Sequence, residues 1–299
     1  MKIRFAAFVM TYKRTEILSK TINELFQQTY PPEKVLIIDN DPEQSAHSVF
    51  QQLTHLSVGY HAVGYNSGPA GAAKIGLEIL SNEGYDWIAW IDDDDPPIFP
   101  DVCEILLQTA TTQKKCGSVG VVGHHFNYRT GFFNRISDEE VKKIGVMEVD
   151  FIAGNMIKII NAAMIRKHDV FPNSDLFFGF EDLDMDLKTK KAGYHLYVDK
   201  GLFLRYRIAY NGINKKQIKG ARKNENSLWR DYYSTRSMLI ILKEQHQHLA
   251  LFVTIVRVFY KSISNYKYGI KYGWINMKLN LLGLIDFCLR KKGQTIFKI

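Results

Sequence analysis

Cysteine is scarce in this sequence: Cys103, Cys116 and Cys288 make three, an odd number without paired metal-ligand spacing. That argues against a disulfide framework and a zinc site and fits a reducing cytoplasm. Long apolar runs are missing too. The longest late one, "LALFVTIVRVFY" (Leu249 to Tyr260), is broken by Arg257 and falls short of the roughly 20 residues that span a bilayer. The opening "MKIRFAAFVMTYKR" meets charge too soon for a signal peptide or spanning helix and reads as a first buried strand. There is no internal repeat, no low-complexity tract, no nucleic-acid-binding motif and no G-x-G-x-x-G fingerprint. Acid is lacking in one part only. Residues 200–299 hold 20 Lys+Arg against 4 Asp+Glu, leaving residues 1–199 with 19 against 27. The net charge of +8 therefore joins two parts that face different partners.

What remains is ordinary globular composition, 46% hydrophobic and 23% charged over 299 residues, enough for one or two domains. Up to Asp101, strand-like and helix-like segments alternate. "IRFAAFVM", "KVLIID" and "YDWIAWI" are short apolar runs, while "TEILSKTINELFQQ" and "AGAAKIGLEIL" carry Leu and Ile at helical spacing. The alternation predicts a mostly parallel sheet with crossover helices. A helix over 100–111 and a strand "GSVGVVG" follow. Residues 123–145 lack periodicity and read as an irregular insertion. "VMEVDFIAGNMIKIINAAMIRK" predicts two strands and a helix. From Ser227 the pattern turns helical. "SLWRDYYSTRSMLIILKEQ" and "LALFVTIVRVFYKSISNYKYGIKYG" predict long amphipathic helices, basic and aromatic on the polar side.

At the end of "YDWIAWI" stand four aspartates, Asp92 to Asp95. Adjacent carboxylates repel, so they are solvated, cap a helix or gather around a cation. Asp92 and Asp94 can both reach one divalent ion; an acidic turn before a helix, whose N-terminus favours negative charge, explains them as well. The strand delivers them to the C-terminal edge of the sheet, where open parallel sheets bind ligands. "NSGPAGAAK" places Asn66, Gly68 and Gly71 in a loop that opens a helix, permitting close backbone approach; a tight turn is the plainer explanation. "FFGFEDLDMDLKTKKAGY" puts Glu181, Asp182, Asp184 and Asp186 at the start of a helix ending at Gly193. The helix dipole welcomes acids there but does not account for the aromatics before them.

In this order and at these spacings, "FVMTYKRTEIL", "VLIIDND", "GYNSGPAGAAKIGLEI", "WIAWIDDDDPPIFPD" and "FFGFEDLDMDLKTKKAGY" resemble family 2 glycosyltransferases of the GT-A fold. The likeness is to the bacterial rhamnosyltransferase and galactofuranosyltransferase branch, over roughly the first 210 residues and more loosely in the tail. It implies an α/β fold: a GT-A catalytic domain at 1–215, with its donor half at about 1–100 and its acceptor half at about 117–215, then a basic helical region at 216–299. It also implies an inverting, metal-dependent hexosyltransferase using Mn²⁺ or Mg²⁺. Such an enzyme moves a sugar from a UDP- or dTDP-sugar to a hydroxyl of a glycan or polyprenyl-linked acceptor in bacterial surface polysaccharide synthesis.

By the same resemblance, Asp92 to Asp94 correspond to the DxD element, with Asp92 and Asp94 on the metal and Asp92 and Asp93 beside the donor. Thr11, Tyr12, Arg14 and Asp39 fall where the base and ribose are held, and Asn66 and Gly68 where the donor pocket is lined. Asp182 carries over as the catalytic base, with Glu181 and Phe178 near the acceptor. Many relatives have a metal-ligating His after a strand such as "LYVDKGLFL"; this chain has Arg205 and Tyr206. Arg205 cannot ligate a metal, but its guanidinium would suit the diphosphate. His195 and the pair His124 and His125 are weaker candidates.

The basic tail has two readings. It meets an anionic membrane, placing the chain peripherally at the cytoplasmic face where a lipid-linked acceptor would be found. Or it caps the catalytic part or a second subunit, which leaves a homo-oligomer open. Two other classes stay in play. One is a nucleotidyl- or phosphoryl-transfer enzyme, which also uses aspartates at a sheet edge. The other is a basic nucleic-acid-binding protein, against which the acidic first part and the missing motif both speak; no nucleic acid is expected as a partner.

Overall fold

The computed structural model describes residues 3–154, 156–215 and 222–296. Its first strand, β1 (Phe5–Thr11), is FAAFVMT and is buried along its whole length, so both faces need cover. α1 (Thr15–Phe26) turns Leu18, Thr21, Ile22 and Leu25 inward at helical intervals. Then come β2 (Lys34–Asp39), α2 (His47–Gln52), β3 (Val58–Ala62), α3 (Gly68–Asn82), β4 (Trp87–Asp92) and α4 (Val102–Thr112). Alternate residues of β1 serve different layers. Phe5, Ala7 and Val9 pack with Leu18 and Leu106 of α1 and α4; Ala6, Phe8 and Met10 pack with Ala72, Ala73 and Leu77 of α3.

The middle of the chain adds β5 (Cys116–Gly120), β6 (Gly123–Asn127), β7 (Phe132–Arg135), α5 (Asp138–Val141), β8 (Val146–Val149), β9 (Phe151–Ile152), β10 (Lys158–Asn161), α6 (Ala162–His168), α7 (Glu181–Lys191), β11 (His195–Asp199) and α8 (Lys200–Ala209). The main sheet has eight strands in the order β3-β2-β1-β4-β10-β5-β11-β8. β1 to β4 are parallel, β10 is antiparallel to both its neighbours, and β8 is antiparallel to β11. This is the mixed, mostly parallel α/β sheet expected from the alternation.

Residues 123–145 depart from the irregular insertion expected of them. β6 pairs antiparallel with β7 and with β9 in a separate three-stranded sheet. The strands are short and lean on aromatic packing, Phe126 with Phe133 and Phe133 with Phe151, so no alternation of apolar and polar residues announces them.

Three helices complete the chain: α9 (Trp229–Glu244), α10 (His248–Ser264) and α11 (Ile270–Cys288). What reads as one long helix from Leu249 onward is broken between α10 and α11 at Gly269, whose φ of +112° ends the helical path. Met238, Ile241 and Leu242 of α9 share a core with Leu176, Leu183, Phe126 and Phe151. The boundary expected between residues 215 and 216 lies outside the described residues. Among those described, no helix is long and apolar enough to cross a membrane.

The connections place the site. From β1 the chain moves to β2 on one side and returns to β4 on the other, so a topological switch point lies between β1 and β4. The register sets Thr11 beside Asp39 and Met10 beside Asp92 at the C-terminal ends of these strands.

Candidate active site

The four aspartates divide their tasks. Asp93 is buried, accepts a hydrogen bond from the Thr11 hydroxyl at 2.8 Å and one from Arg14 Nη1 at 3.0 Å, and its carbonyl accepts from Thr21 at 2.6 Å. It therefore ties β4 to β1 and α1. Arg14 also pairs with Asp94. Asp92, Asp94 and Asp95 each bring one carboxylate oxygen to within 4.8 Å of the others, of the order of the ~4 Å that separates opposite oxygens on a Mg²⁺. Among the described residues no lysine or arginine pairs with Asp92 or Asp95. Asp92 is pushed up to about 8 by burial and by the charges of Asp94, Asp93, Asp95 and Asp182. Burial and Asp94 raise Asp95 to about 6. Three carboxylates met, among the described residues, only by Arg14 on Asp94 make an oxygen-rich cluster that fits a hard divalent cation. Asp95, left unassigned by the sequence motif, is part of that cluster.

The acids of α7 separate by helical position. Asp184 accepts from Asn173 N at 2.7 Å and from Lys188 Nζ at 2.6 Å. Asp186 accepts from Ile152 N at 2.8 Å and pairs with Lys158, a fully buried lysine on β10. Both are inward braces. Glu181 and Asp182, at the N-terminus of α7, face the aspartates of β4: Asp182 is among the charges that raise Asp92, and Asp182 and Asp92 are among those that raise Glu181. Two segments roughly ninety residues apart in the chain thus come close enough for their charges to act on one another.

Asp182 is anchored. Its Oδ2 accepts from Gly154 N at 2.7 Å and its Oδ1 from Leu183 N at 2.8 Å. A Cβ on Gly154 would lie 2.9 Å from Asp182 Oδ2, so only glycine lets the backbone come this close. Burial raises the Asp182 pKa and outweighs the lowering by Lys158 and the two backbone donors. Glu181 is raised chiefly by burial, then by Asp182, and its Oε2 is buried without a hydrogen-bond partner among the described residues.

The residues before α7 are held in strained geometry. Phe177 and Phe180 have φ of +63° and +67°, with Gly179 at +81° between them; such values cost a non-glycine residue on the order of 1–3 kcal/mol. Helix α9 clamps this turn. Arg236, fully buried, donates to the Leu176 carbonyl at 3.0 Å and the Gly293 carbonyl at 2.7 Å, and Ser237 donates to the Phe178 carbonyl at 3.0 Å. Phe178 packs on Trp229, centroids 4.9 Å apart. Across the turn, Gly68 takes φ +69° and a Cβ there would meet the Phe177 carbonyl at 2.1 Å. The glycine-rich loop is therefore pressed against the turn that leads into Glu181 and Asp182.

Other expected residues are placed as follows. Tyr12 is exposed at the end of β1, and Asn66 Oδ1 accepts from Gly68 N at 3.0 Å. Asp39 departs from the expected base contact. It has no exposed surface, and its carboxylate accepts from Asp41 N, Ala46 N and the Tyr60 hydroxyl at 2.9–3.0 Å, which shapes the loop after β2. Arg205, expected at the diphosphate, is half-exposed and already holds an acid. It makes a bidentate pair with Asp101, both bonds 2.8 Å, over the ring of Phe99. The Tyr206 hydroxyl accepts from Ile98 N at 3.3 Å. Of the histidines, His124 is half-buried and lowered to about 4 by desolvation and by Arg207 and Arg135, while His125 and His195 pair with Asp150 and Glu148.

The sequence reading missed Asn40, Gly154 and Lys158. Asn40 donates to the Gly68 carbonyl at 3.1 Å and accepts from the Ser67 hydroxyl, joining the end of β2 to the start of α3. Lys158 left one signal, a lone lysine within the apolar "MIKII"; nothing local distinguishes Asn40 or Gly154.

Acidic side chains at the switch point of a parallel sheet stand where open α/β sheets bind ligands, and the comparisons name the family. Residues 7–171 match Glycosyl transferase family 2, more than half of the chain, which therefore belongs to that family. The matched span holds Thr11, Arg14 and Asp92 to Asp95 and stops before Glu181. Galactofuranosyltransferase GlfT1 of Mycolicibacterium smegmatis is 29% identical over 198 residues, which are 62% of this chain and 65% of that protein's length. Two solved structures share the fold. Mannosyltransferase PcManGT of Pyrobaculum calidifontis, in complex with GDP-Man and Mn²⁺, aligns with TM-score 0.54 at 12% identity over 97% of this chain and 88% of its own. S. aureus TarS 1-349, in complex with UDP-GlcNAc, aligns with TM-score 0.55 at 14% identity over 95% of this chain and 80% of its own. These likenesses establish the GT-A fold.

Proposed function

We propose that this chain transfers a sugar from a nucleoside diphosphate sugar to an acceptor hydroxyl with inversion at the anomeric carbon. The observation that carries the reading is the gathering of Asp92, Asp94 and Asp95 at the switch point, with Glu181 and Asp182 close enough to share their field. Asp92, Asp94 and Asp95 would hold a divalent cation, Mn²⁺ or Mg²⁺, which when bound offsets charge on the departing diphosphate. The glycosyltransferases among the relatives, bound to GDP-Man with Mn²⁺ in one case, support a nucleotide sugar as donor.

Asp182 serves as general base. It removes the proton of the acceptor hydroxyl as that oxygen bonds to the anomeric carbon and the bond from that carbon to the diphosphate oxygen breaks. Gly154 and Leu183 N–H groups fix the carboxylate, and its raised pKa makes it a better proton acceptor than an ordinary aspartate. Glu181, its pKa raised by burial and then by the Asp182 charge, has one oxygen without a hydrogen-bond partner among the described residues and would meet the acceptor, as would Phe178. Thr11, Tyr12, Arg14, Asn66 and Gly68 form the donor side. Arg14, already seated on Asp93 and Asp94, is suited to the diphosphate. A lipid-linked or glycan acceptor and a UDP- or dTDP-linked donor are the substrate classes we assign.

Melting of the purified chain with UDP-, dTDP- and GDP-sugars, each with Mn²⁺ and with chelator, tests the donor. A ligand at a hundred times its Kd stabilises by about 2.7 kcal/mol, so a metal-dependent rise with one nucleotide class is expected. Release of pyrophosphate in place of a nucleoside diphosphate would move the chain to nucleotidyl transfer. Turnover that survives both Asp94→Ala and Asp182→Asn would end the reading.

A further inference from the structure

Helix α10 is packed the wrong way round for a helix that merely closes a bundle. Its buried side is built of small residues, Ala250, Thr254, Val258 and Ser262, four apart and at most 5% exposed. Its outer side carries the large apolar ones: Leu249, Phe252, Val256, Phe259, Tyr260 and Ile263 are 49–72% exposed. Phe252, Val256, Phe259 and Ile263 follow the helical period, so they form one stripe, which on 17 residues runs about 25 Å. Burial in water favours the opposite arrangement, large apolar groups in and small polar ones out. Exposed apolar residues resume at Ile270 and Trp274 in the first turns of α11.

Charge around the stripe is of one sign. From residue 245 to the end the sequence has 9 Lys+Arg and 1 acid, Asp286, which is buried and engaged by Tyr232 and Lys291. The two cations on α10 are turned away from the stripe. Arg257 lies over Phe132 and donates to the Thr130 carbonyl at 2.6 Å, and Lys261 pairs with Asp231 at 2.9 Å. The exposed Lys267 and Lys271 stand just past the helix. A stripe without charge, followed by exposed lysines of which Lys267 lies over the Tyr268 ring, is the pattern of a helix lying in a bilayer interface, apolar side chains at the acyl boundary and lysines at the phosphates. A second copy would bring the same excess of positive charge, whereas an anionic surface neutralises it.

We propose that the outer face of α10, with Ile270 and Trp274, docks this protein on a bilayer containing anionic lipids. The inference stands apart from the transfer reading because it is read by binding and not by turnover. The test is sedimentation of the full-length chain with vesicles of phosphatidylcholine, with and without phosphatidylglycerol, together with Trp274 emission and the oligomeric state in solution. We expect binding to the anionic vesicles alone, weakened by salt, with Trp274 emission shifted to the blue. Phe252→Glu with Ile263→Glu is expected to lower partitioning by about tenfold or more, since two large apolar groups are replaced by charge. Its melting temperature and its donor-induced shift should match the parent, both positions being exposed. Lys267→Glu with Lys271→Glu should weaken binding to anionic vesicles in the same direction. Three outcomes overturn the proposal: no binding to either vesicle, binding that the Phe252 and Ile263 substitutions leave intact, or a dimer that those substitutions dissociate.

Discussion

Two neighbouring pairs of acids on one helix show how little residue type alone says about role. Glu181 and Asp182 act on the charges of the β4 aspartates; Asp184 and Asp186, a turn or less away, are bound to Asn173, Lys188, Ile152 and Lys158. Asp182→Asn should cut turnover by about 10²–10⁴, the usual worth of a general base, while leaving the donor-induced melting shift in place. Lys158→Met should instead strand Asp186 as a buried charge and cost about 3–5 kcal/mol of stability, read from denaturant unfolding. The pH dependence follows from Asp182. The base works ionised and its pKa is raised by burial, so kcat/KM should fall with decreasing pH on a limb displaced above the ordinary carboxylate range. A limb at or below pH 4 would contradict the assignment.

At the scale of elements, α9 controls the turn before α7. Phe177 and Phe180 keep unfavourable backbone angles because Arg236 and Ser237 hold the surrounding carbonyls. Ser237→Ala should cost roughly 1 kcal/mol of stability yet reduce kcat more than that loss accounts for, since the turn that aims Asp182 loosens; single-turnover rates would show it. The packing of α9, α10 and α11 also has an acid-sensitive point. Asp231 is buried, which raises its pKa, but Lys261 and Lys223 outweigh this and hold it below the usual value. A depressed carboxylate stabilises the fold above its unfolded pKa and loses that contribution as pH falls through the folded value. Asp231→Asn should therefore be less stable than the parent at pH 7, with the difference closing below about pH 4.

On the scale of the whole molecule, the helical region completes the catalytic core. Met238, Ile241 and Leu242 of α9 cover Leu176 and Leu183, which lie on either side of the strained turn. A chain ending near residue 215 should thus fail to fold independently, seen as aggregation or loss of a cooperative melt. We accordingly regard the helices after Ser227 as part of one cooperative unit with the sheet, carrying a basic outer surface on an acidic catalytic half.

The sequence by itself determined the sheet and its edge. Runs such as "FAAFVM" and "WIAWID" are buried on both faces and can only be central strands, and their ends had to meet at the C-terminal edge. It also marked the two acidic segments, because four adjacent carboxylates and an acid-rich helix start are local features. Which of those acids act on one another was decided by the tertiary structure, since the seat of α7 against β9, β11 and β5 is set by side chains far apart in sequence. The same holds for Asp39 and Arg205, whose partners Tyr60 and Asp101 lie 21 and 104 residues away. A charged side chain shows its type in the sequence, but what neutralises it depends on which distant groups the fold brings within about 3 Å.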